Sequence, residues 1–394
     1  MESLNHFDVE SFLRDYWQQR PLLIRGAVDP DRFVLSPEEL AGLACEESIE
    51  SRLIRGAGMT DYSLQHGPFD DTVFNTLPDS DWTVLVQAVD HIVPEVAALL
   101  DYFRFIPNWR IDDVMVSYAT PGGSAGPHYD NYDVFLIQGS GSRLWKVGDH
   151  VGDNPELLQH SDLRLLKHFQ SVEEWELHPG DILYLPPRCA HWGISSSADC
   201  MTYSVGFRGP GAAELLSEFC DRAIVAIPDH RRYRDSDLYG QANPGEISTA
   251  AIEQVRQLVL EPLSDPERLA RWFGQYMTQP KYEPPAEIED DNGAPITSEE
   301  FEQALASEDF IYRDPASRFA YIDTDSGLYL FINGREYPLE RDQLDFAQHL
   351  CAAAALPCNE LSGYLRAPSL ASLLLALYSQ GNLYFGDELY DQDS

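Results

Sequence analysis

Bases are scarce in this chain. Against 65 Asp and Glu there are only 27 Lys and Arg, a formal net charge of −38 over 394 residues. Nucleic-acid binding depends on Lys and Arg neutralising phosphates, so this balance argues against a direct nucleic-acid partner. It favours a basic protein partner, whose encounter such a field accelerates. Cysteines are also few: Cys45, Cys189, Cys200, Cys220, Cys351 and Cys358, with no Cys-x-x-Cys pair. That pattern argues against a thiolate zinc site and gives no disulfide framework; reduced, mostly buried thiols in a cytoplasm are expected. No run approaches the roughly 20 apolar residues of a membrane span. Residues 1–25 lack the basic segment and apolar core of a signal peptide. A cytoplasmic location without a membrane partner is therefore expected.

The chain is 44% hydrophobic and 11% aromatic, enough for packed cores, and its length predicts two or three domains. Phe7–Arg20 reads as a helix stopped by Pro21. Strands are predicted at Trp82–Val89, Asp113–Ala119, Tyr129–Gln138, Arg143–Val147, Glu176–His178, Ile182–Leu185 and Cys200–Phe207, separated by Gly and Pro turns. Many short strands of this kind predict an α+β protein whose first domain, residues 1–209, is a double-stranded β-helix, the jelly-roll barrel of cupins. Helices are expected through 210–279. Residues 280–296 are acidic and Pro-rich, a linker by composition. A helical and hairpin-containing module over 297–394, with Asn333-Gly334 as its tight turn, resembles a winged helix.

The chemical signal is Gly126-Pro127-His128-Tyr129-Asp130. Residues two apart on a strand face one side, so His128 and Asp130 can point into the barrel together. A third ligand comes from the run Pro179-Gly180-Asp181 through His191, where a tight turn feeds an apolar strand and then a Pro-bounded end. Two His and one carboxylate on one face of a metal form the facial triad of non-heme iron oxygenases. A single His is more often structural, and eleven are present. It is the combination of glycine turn, His-x-Asp, glycine hairpin and Pro-Gly-Asp with a later His that selects a metal-binding barrel. His178 lies at the far end of its strand and reads as structural. His150, His160 and His168 fall in a polar insertion.

An enzyme using 2-oxoglutarate also needs a cation for the distal carboxylate, because a buried carboxylate without a partner is costly. Arg143 can bind one bidentately. Lys146, three residues on, falls on the opposite face of the strand. Ser117 can add a hydroxyl hydrogen bond or simply fill a crowded strand.

At these residues the chain resembles a known family. GPHYDNYDVFLIQGSGSRLWKVG, PGDILYLPPRCAHWG and MTYSVGFRGP, with DYWQQRPLLIRG, SRLI, HGPF and NWRIDDVMVSYATPGG upstream, are similar to the JmjC ribosomal oxygenases. More narrowly, it resembles the bacterial branch that hydroxylates an arginine of a large-subunit ribosomal protein, L-sixteen. The resemblance implies iron(II) on His128, Asp130 and His191, and 2-oxoglutarate held by Ser117 and Arg143, with dioxygen as the other cosubstrate. It also implies a barrel, a helical dimerisation region and a winged helix in that order, and hence a homodimer.

The function expected is hydroxylation of an arginyl side chain of a basic ribosomal protein, giving succinate and carbon dioxide. Tyr129, Tyr132, Asp133 and Trp192 are candidates for a guanidinium pocket by charge and stacking. The rivals are the same chemistry on a histidyl or methyl-lysyl side chain, and a non-oxygenase metal cupin. The tail alone suggests nucleic-acid binding, but its few bases among many acids favour a packing or dimer module.

Overall fold

In the computed structural model the described residues are 3–159, 163–236, 238–240, 242–282 and 296–386. They divide into two units, Met1–Gly209 and Pro210–Ser394.

The first unit is a double-stranded β-helix. Its strands are β1 (Leu22–Ile24), β2 (Ser51–Ala57), β3 (Asp61–His66), β4 (Trp82–Val86), β5 (Ile111–Ala119) and β6 (Val134–Ser140). There follow β7 (Arg143–His150), β8 (Glu173–Leu177), β9 (Ile182–Leu185), β10 (Cys189–Ser195) and β11 (Cys200–Phe207). Eight form one sheet in the order β1-β9-β6-β11-β5-β4-β2-β3, and the other three a small sheet in the order β10-β7-β8.

Period-2 alternation sorts the side chains of the large sheet between two cores. Val134, Leu136, Leu183 and Leu185 face inward and pack with Trp145, Val147 and Leu177 of the small sheet. The alternate residues Phe135, Ile137, Tyr184, Tyr203 and Phe207 face outward into a larger core with Phe12 and Phe103. Phe12 lies on helix α1 (Val9–Asp15), 4.9 Å edge-on from the Tyr184 ring. Helices α2 (Pro37–Leu43) and α3 (Pro94–Ala98) add Leu40 and Val96 to that same core.

Two expectations for this unit need correction. The helix predicted over Phe7–Arg20 ends at Asp15. Beyond it, Gln18 adopts a left-handed conformation at φ 57°, and its amide donates to the Tyr184 hydroxyl at 2.7 Å. The strand predicted from Tyr129 starts only at Val134. His128 instead makes an isolated bridge with His191, and residues 129–133 form an irregular turn. The β2–β3 hairpin escaped the sequence reading because its alternation is broken by Arg52, Arg55 and Gly56.

In the second unit, α4 (Ala212–Val225), α5 (Thr249–Leu260) and α6 (Pro266–Met277) come first. Then follow α7 (Ser298–Ser307), β12 (Phe310–Arg313), β13 (Phe319–Thr324), β14 (Gly327–Ile332) and β15 (Arg335–Leu339). The unit ends with α8 (Leu344–Ala352), β16 (Ala355–Pro357), α9 (Cys358–Leu361), α10 (Pro368–Ser379) and β17 (Leu383–Phe385). The meander β13-β14-β15 turns at Asn333-Gly334, both at positive φ (48° and 77°), as a tight hairpin turn of this type requires. Helix α6 packs on that meander: Tyr329 donates to Glu267 at 2.9 Å, and Arg271 pairs with Glu336 at 2.6 Å. Most of the predicted linker, 283–295, lies outside the described residues, as does His160.

Candidate metal and cosubstrate centre

Three side chains meet at one mouth of the barrel. The ligand atoms of His128, Asp130 and His191 all lie within 4.8 Å of one another. His191 Nε2 is 3.6 Å from Asp130 Oδ2, and the two imidazole centroids are 4.3 Å apart. Backbone bonds set this spacing. The His128 amide donates to the His191 carbonyl at 3.0 Å, and the His191 amide returns the bond at 2.9 Å. Asp130 is tied down separately, because the Arg188 amide donates to its carbonyl at 2.6 Å. Arg188 adopts a left-handed conformation, φ 65°, directly after Pro186-Pro187, and so aims that amide at the metal loop. Gly126 lies two residues before His128 at φ 80°, where a Cβ would come within 2.6 Å of Leu165. Only glycine fits that turn.

Both histidines are oriented from behind. His128 Nδ1 lies 2.8 Å from the Gly126 carbonyl, and His191 Nδ1 lies 2.9 Å from the Cys189 carbonyl. A carbonyl can only accept, so each Nδ1 carries the proton and each Nε2 lone pair is left for a metal. Burial, with the neighbouring His128, pushes His191 down to about 4. It is therefore a neutral ligand near neutral pH. Two imidazoles and a carboxylate suit a divalent first-row ion with open positions.

The inner face of the same strands carries the second half of the site. In the β7–β10 register, His191 pairs with Val147, Gly193 with Trp145, and Ser195 with Arg143. Arg143 thus shares a face with His191, four residues along, about 13 Å by strand rise. Trp145 lies between them, its ring 5.9 Å from His191 and 5.7 Å from the Arg143 guanidinium. Arg143 is 5% exposed, and its Nη2 has no hydrogen-bond partner among the described residues. A buried cationic nitrogen without an acceptor is costly. An incoming carboxylate would satisfy it, so the residues present fit a small diacid bridging Arg143 and the triad. Ser117 is buried on β5 opposite Thr202, inside the barrel, with its hydroxyl 3.5 Å from the Thr202 carbonyl. Lys146 projects to the other face, 5.3 Å over the Trp192 ring and toward Glu174.

The four residues offered for substrate contact lie on different faces. Tyr132 is 42% exposed at the mouth, while burial around its hydroxyl, and then the charge of Asp130 beside it, push that hydroxyl up. Tyr129 stacks under Arg164 at 5.9 Å. Trp192 faces away from His191, and its indole nitrogen donates to Ser124 Oγ at 3.0 Å. Asp133 needs correction. It is fully buried and accepts from Tyr184 at 2.7 Å, Gln18 at 2.9 Å and Arg110 at 3.1 Å. Its carboxylate anchors α1 and the turn after it to the barrel and does not face the mouth. His178, His150 and His168 are exposed and stand apart from the triad.

Sequence reasoning missed Cys200, which receives hydrogen bonds from Arg143 Nε and Gln138 Nε2, both at 3.4 Å. Burial pushes its thiol up, but the charge of the adjacent guanidinium and hydrogen bonds from Arg143, Gln138 and Ser195 together leave it below the ordinary thiol value. Only the alternation of β11 hinted at its inward facing.

Comparison with known proteins agrees with this geometry. Residues 98–215 match the JmjC domain family, and residues 261–384 match the ROXA-like winged helix. The ribosomal protein uL16 3-hydroxylase of Escherichia coli K12 is 35% identical over 379 residues, 95% of this chain and 96% of the relative. The chain belongs to the JmjC ribosomal oxygenases. Within this family, the crystal structure of E. coli ycfD superposes with a TM-score of 0.85 at 33% identity, covering 98% of this chain and 100% of that one. The structure of that ribosomal oxygenase with cobalt and 2-oxoglutarate gives a TM-score of 0.83 at the same identity, over 98% of this chain and 99% of that one.

Proposed function

We propose that the chain is an iron(II)- and 2-oxoglutarate-dependent oxygenase that hydroxylates an arginyl side chain of a basic large-subunit ribosomal protein, of the L-sixteen type. The observation that carries this reading is the pairing of the His128–Asp130–His191 triad with an unpartnered, buried Arg143 nitrogen on the same inner face. A relative that is a ribosomal protein uL16 3-hydroxylase, and a similar structure that holds cobalt and 2-oxoglutarate, support a divalent metal, that cosubstrate and a ribosomal-protein target.

When bound, iron(II), dioxygen and 2-oxoglutarate supply the oxidation: one oxygen atom enters the substrate C–H bond, the other enters succinate, and carbon dioxide leaves. The protein's part is position. His128, Asp130 and His191 hold the metal on one side only, leaving the rest of its coordination sphere to the reactants. Arg143 takes the distal carboxylate, and Ser117 contributes its hydroxyl. The apolar wall of Val134, Leu136, Leu183 and Leu185 keeps water from the diacid. Tyr132 stands at the mouth, where its aromatic face can receive a guanidinium. The direct test is succinate formation dependent on a ribosomal substrate, with the added oxygen located by fragmentation mass spectrometry on arginine. Histidine hydroxylation or methyl-lysine demethylation would move the chain to a rival target within its class. No succinate with any ribosomal protein would leave only a metal-binding barrel.

The same reading makes the protein a cytoplasmic homodimer. Helix α5 buries none of its residues, and Ile252, Val255 and Val259 are exposed on it. On α4, Leu216, Ile224 and Val225 are exposed as well, Val225 at 84%. Such apolar surface is costly in water and is expected to be covered by a second copy. The remainder of the second unit, over 297–394, then serves as a packing or dimer module. With 65 acids against 27 bases, no nucleic-acid contact is proposed. No membrane partner is proposed either: among the described residues no helix is long and apolar enough to cross one.

A further inference from the structure

Arg143 reaches into the barrel as a buried cation, yet among the described residues no carboxylate pairs with it. Its Nε donates to Cys200 Sγ at 3.4 Å, its guanidinium stands 5.7 Å from the Trp145 ring centroid, and its Nη2 has no partner. Cys200 is itself 0% exposed and is held from the other side by Gln138 Nε2, also at 3.4 Å. Gln138 is in turn fixed. Its Nε2 donates to the Ser140 carbonyl at 2.7 Å and the Met201 carbonyl at 3.2 Å, and its Oε1 accepts from Thr202 at 3.3 Å. The sulfur therefore has little freedom, and the strand alternation of β11 puts it on the inner face with Thr202.

We propose that Cys200 is the positioning residue of Arg143: its sulfur occupies Nε, so that the two terminal nitrogens present an end-on fork to the cosubstrate's distal carboxylate. This rests on the reading of Arg143 given above. A guanidinium offers five donors in fixed directions, and a carboxylate can meet it side-on through Nε or end-on through the terminal pair. Filling Nε removes the side-on choice and thereby sets both the direction and the depth at which a diacid is received. The chemistry of the filler also matters. An aspartate here would neutralise the guanidinium and compete with the incoming anion. A thiol is a weak acceptor that leaves most of the charge uncompensated. The site thus holds its cation in place while preserving its attraction for a dicarboxylate of one length.

The test is calorimetric titration of 2-oxoglutarate, and of the one-carbon-longer 2-oxoadipate, into the full chain loaded with manganese in the absence of oxygen. Cys200→Ala is expected to weaken 2-oxoglutarate binding about tenfold, the lower range for a hydrogen bond to a charged group. It should also narrow the preference for 2-oxoglutarate over 2-oxoadipate, with manganese affinity unchanged. Cys200→Ser, which keeps an acceptor, should restore both affinity and preference. A merely structural role for Cys200 would lower thermal stability without touching the preference between the two diacids. If Cys200→Ala does not fold, Cys200→Val takes its place as the variant of similar volume without an acceptor. Equal affinity and equal preference in the acceptor-free and serine variants would overturn the proposal. Arg143→Ala separates the two layers. Should it bind 2-oxoglutarate as the unmodified protein does, the reading of Arg143 fails and the proposal with it. Should it lose binding while the acceptor-free Cys200 variant binds normally, only the role of Cys200 falls.

Discussion

His128 and His191, 63 residues apart in the chain, exchange both backbone hydrogen bonds, at 3.0 and 2.9 Å, in an isolated bridge that joins the segment before β6 to β10. This pair holds two imidazoles with centroids 4.3 Å apart. Ligand geometry is therefore a property of the backbone and does not wait for a metal to create it.

Each ligand should accordingly be indispensable and each variant should still fold. His128→Ala, Asp130→Ala and His191→Ala are expected to abolish succinate formation and to lower iron content in metal analysis, with circular dichroism unchanged. Turnover retained by any one of them under excess iron would remove that residue from the site.

Arg143→Ala should separate cosubstrate binding from metal binding. Losing a charge-assisted pair to a buried carboxylate costs roughly 2–5 kcal/mol, a loss of about 30-fold to several thousand-fold in affinity. The 2-oxoglutarate concentration needed for turnover should rise by that order while iron content stays full. Lys146 lies on the opposite face, so Lys146→Ala should leave the requirement unchanged. The reverse pattern would show that the facing of β7 has been misassigned.

Much of this site was legible because its information is local. His128-x-Asp130 needs only the two-residue spacing, and Arg143 against Lys146 needs only strand parity. What failed was the state of the chain around Asp130. A strand was expected from Tyr129, but residues 129–133 turn, held by amides from His191 and Arg188 that lie about sixty residues downstream. Asp133 shows the same limit. Beside two tyrosines it reads as a surface acid ready for a guanidinium. Its burial is decided by Gln18, Arg110 and Tyr184, which are 115, 23 and 51 residues away. The Cys200–Arg143 contact, whose partners are 57 positions apart, likewise has no local signature.

That buried carboxylate yields a stability prediction independent of the metal. Asp133→Ala leaves the Arg110 guanidinium and the Tyr184 hydroxyl without their acceptor inside the wall. Breaking a buried ion pair from one side costs about 3–5 kcal/mol. Urea unfolding should shift by that order, whereas 2-oxoglutarate affinity of the variant, measured well below its unfolding range, should remain normal. Lost affinity with unchanged stability would instead place Asp133 in the binding site.

Association through α4 and α5 should be visible by light scattering. The chain is expected at twice 44.5 kDa at micromolar concentration. Replacing Ile252 and Val255 together by Glu should give the monomer, because two carboxylates cannot be buried there unpaired. A monomer in the unmodified protein, or a dimer that survives the double replacement, would contradict this face as the contact.

The last prediction concerns how the substrate arrives. A net charge of −38 acts on any cationic ribosomal protein well before contact. Attraction between exposed charges is screened over about 8 Å at physiological salt. Raising salt should therefore lower kcat/KM for the whole basic protein, mainly by slowing association. A short peptide carrying the target arginine and few other charges should lose much less, since it never had the long-range attraction. Succinate formation at saturating substrate should hardly change with salt, because the triad and Arg143 are shielded within the barrel and the step no longer depends on encounter. These three measurements separate steering from chemistry. If whole protein and short peptide respond to salt alike, the acidic surface serves solubility and the substrate is selected at the mouth alone. If the saturated rate falls as steeply as kcat/KM, salt is acting on the site itself, and the diacid held by Arg143 would be the first place to look.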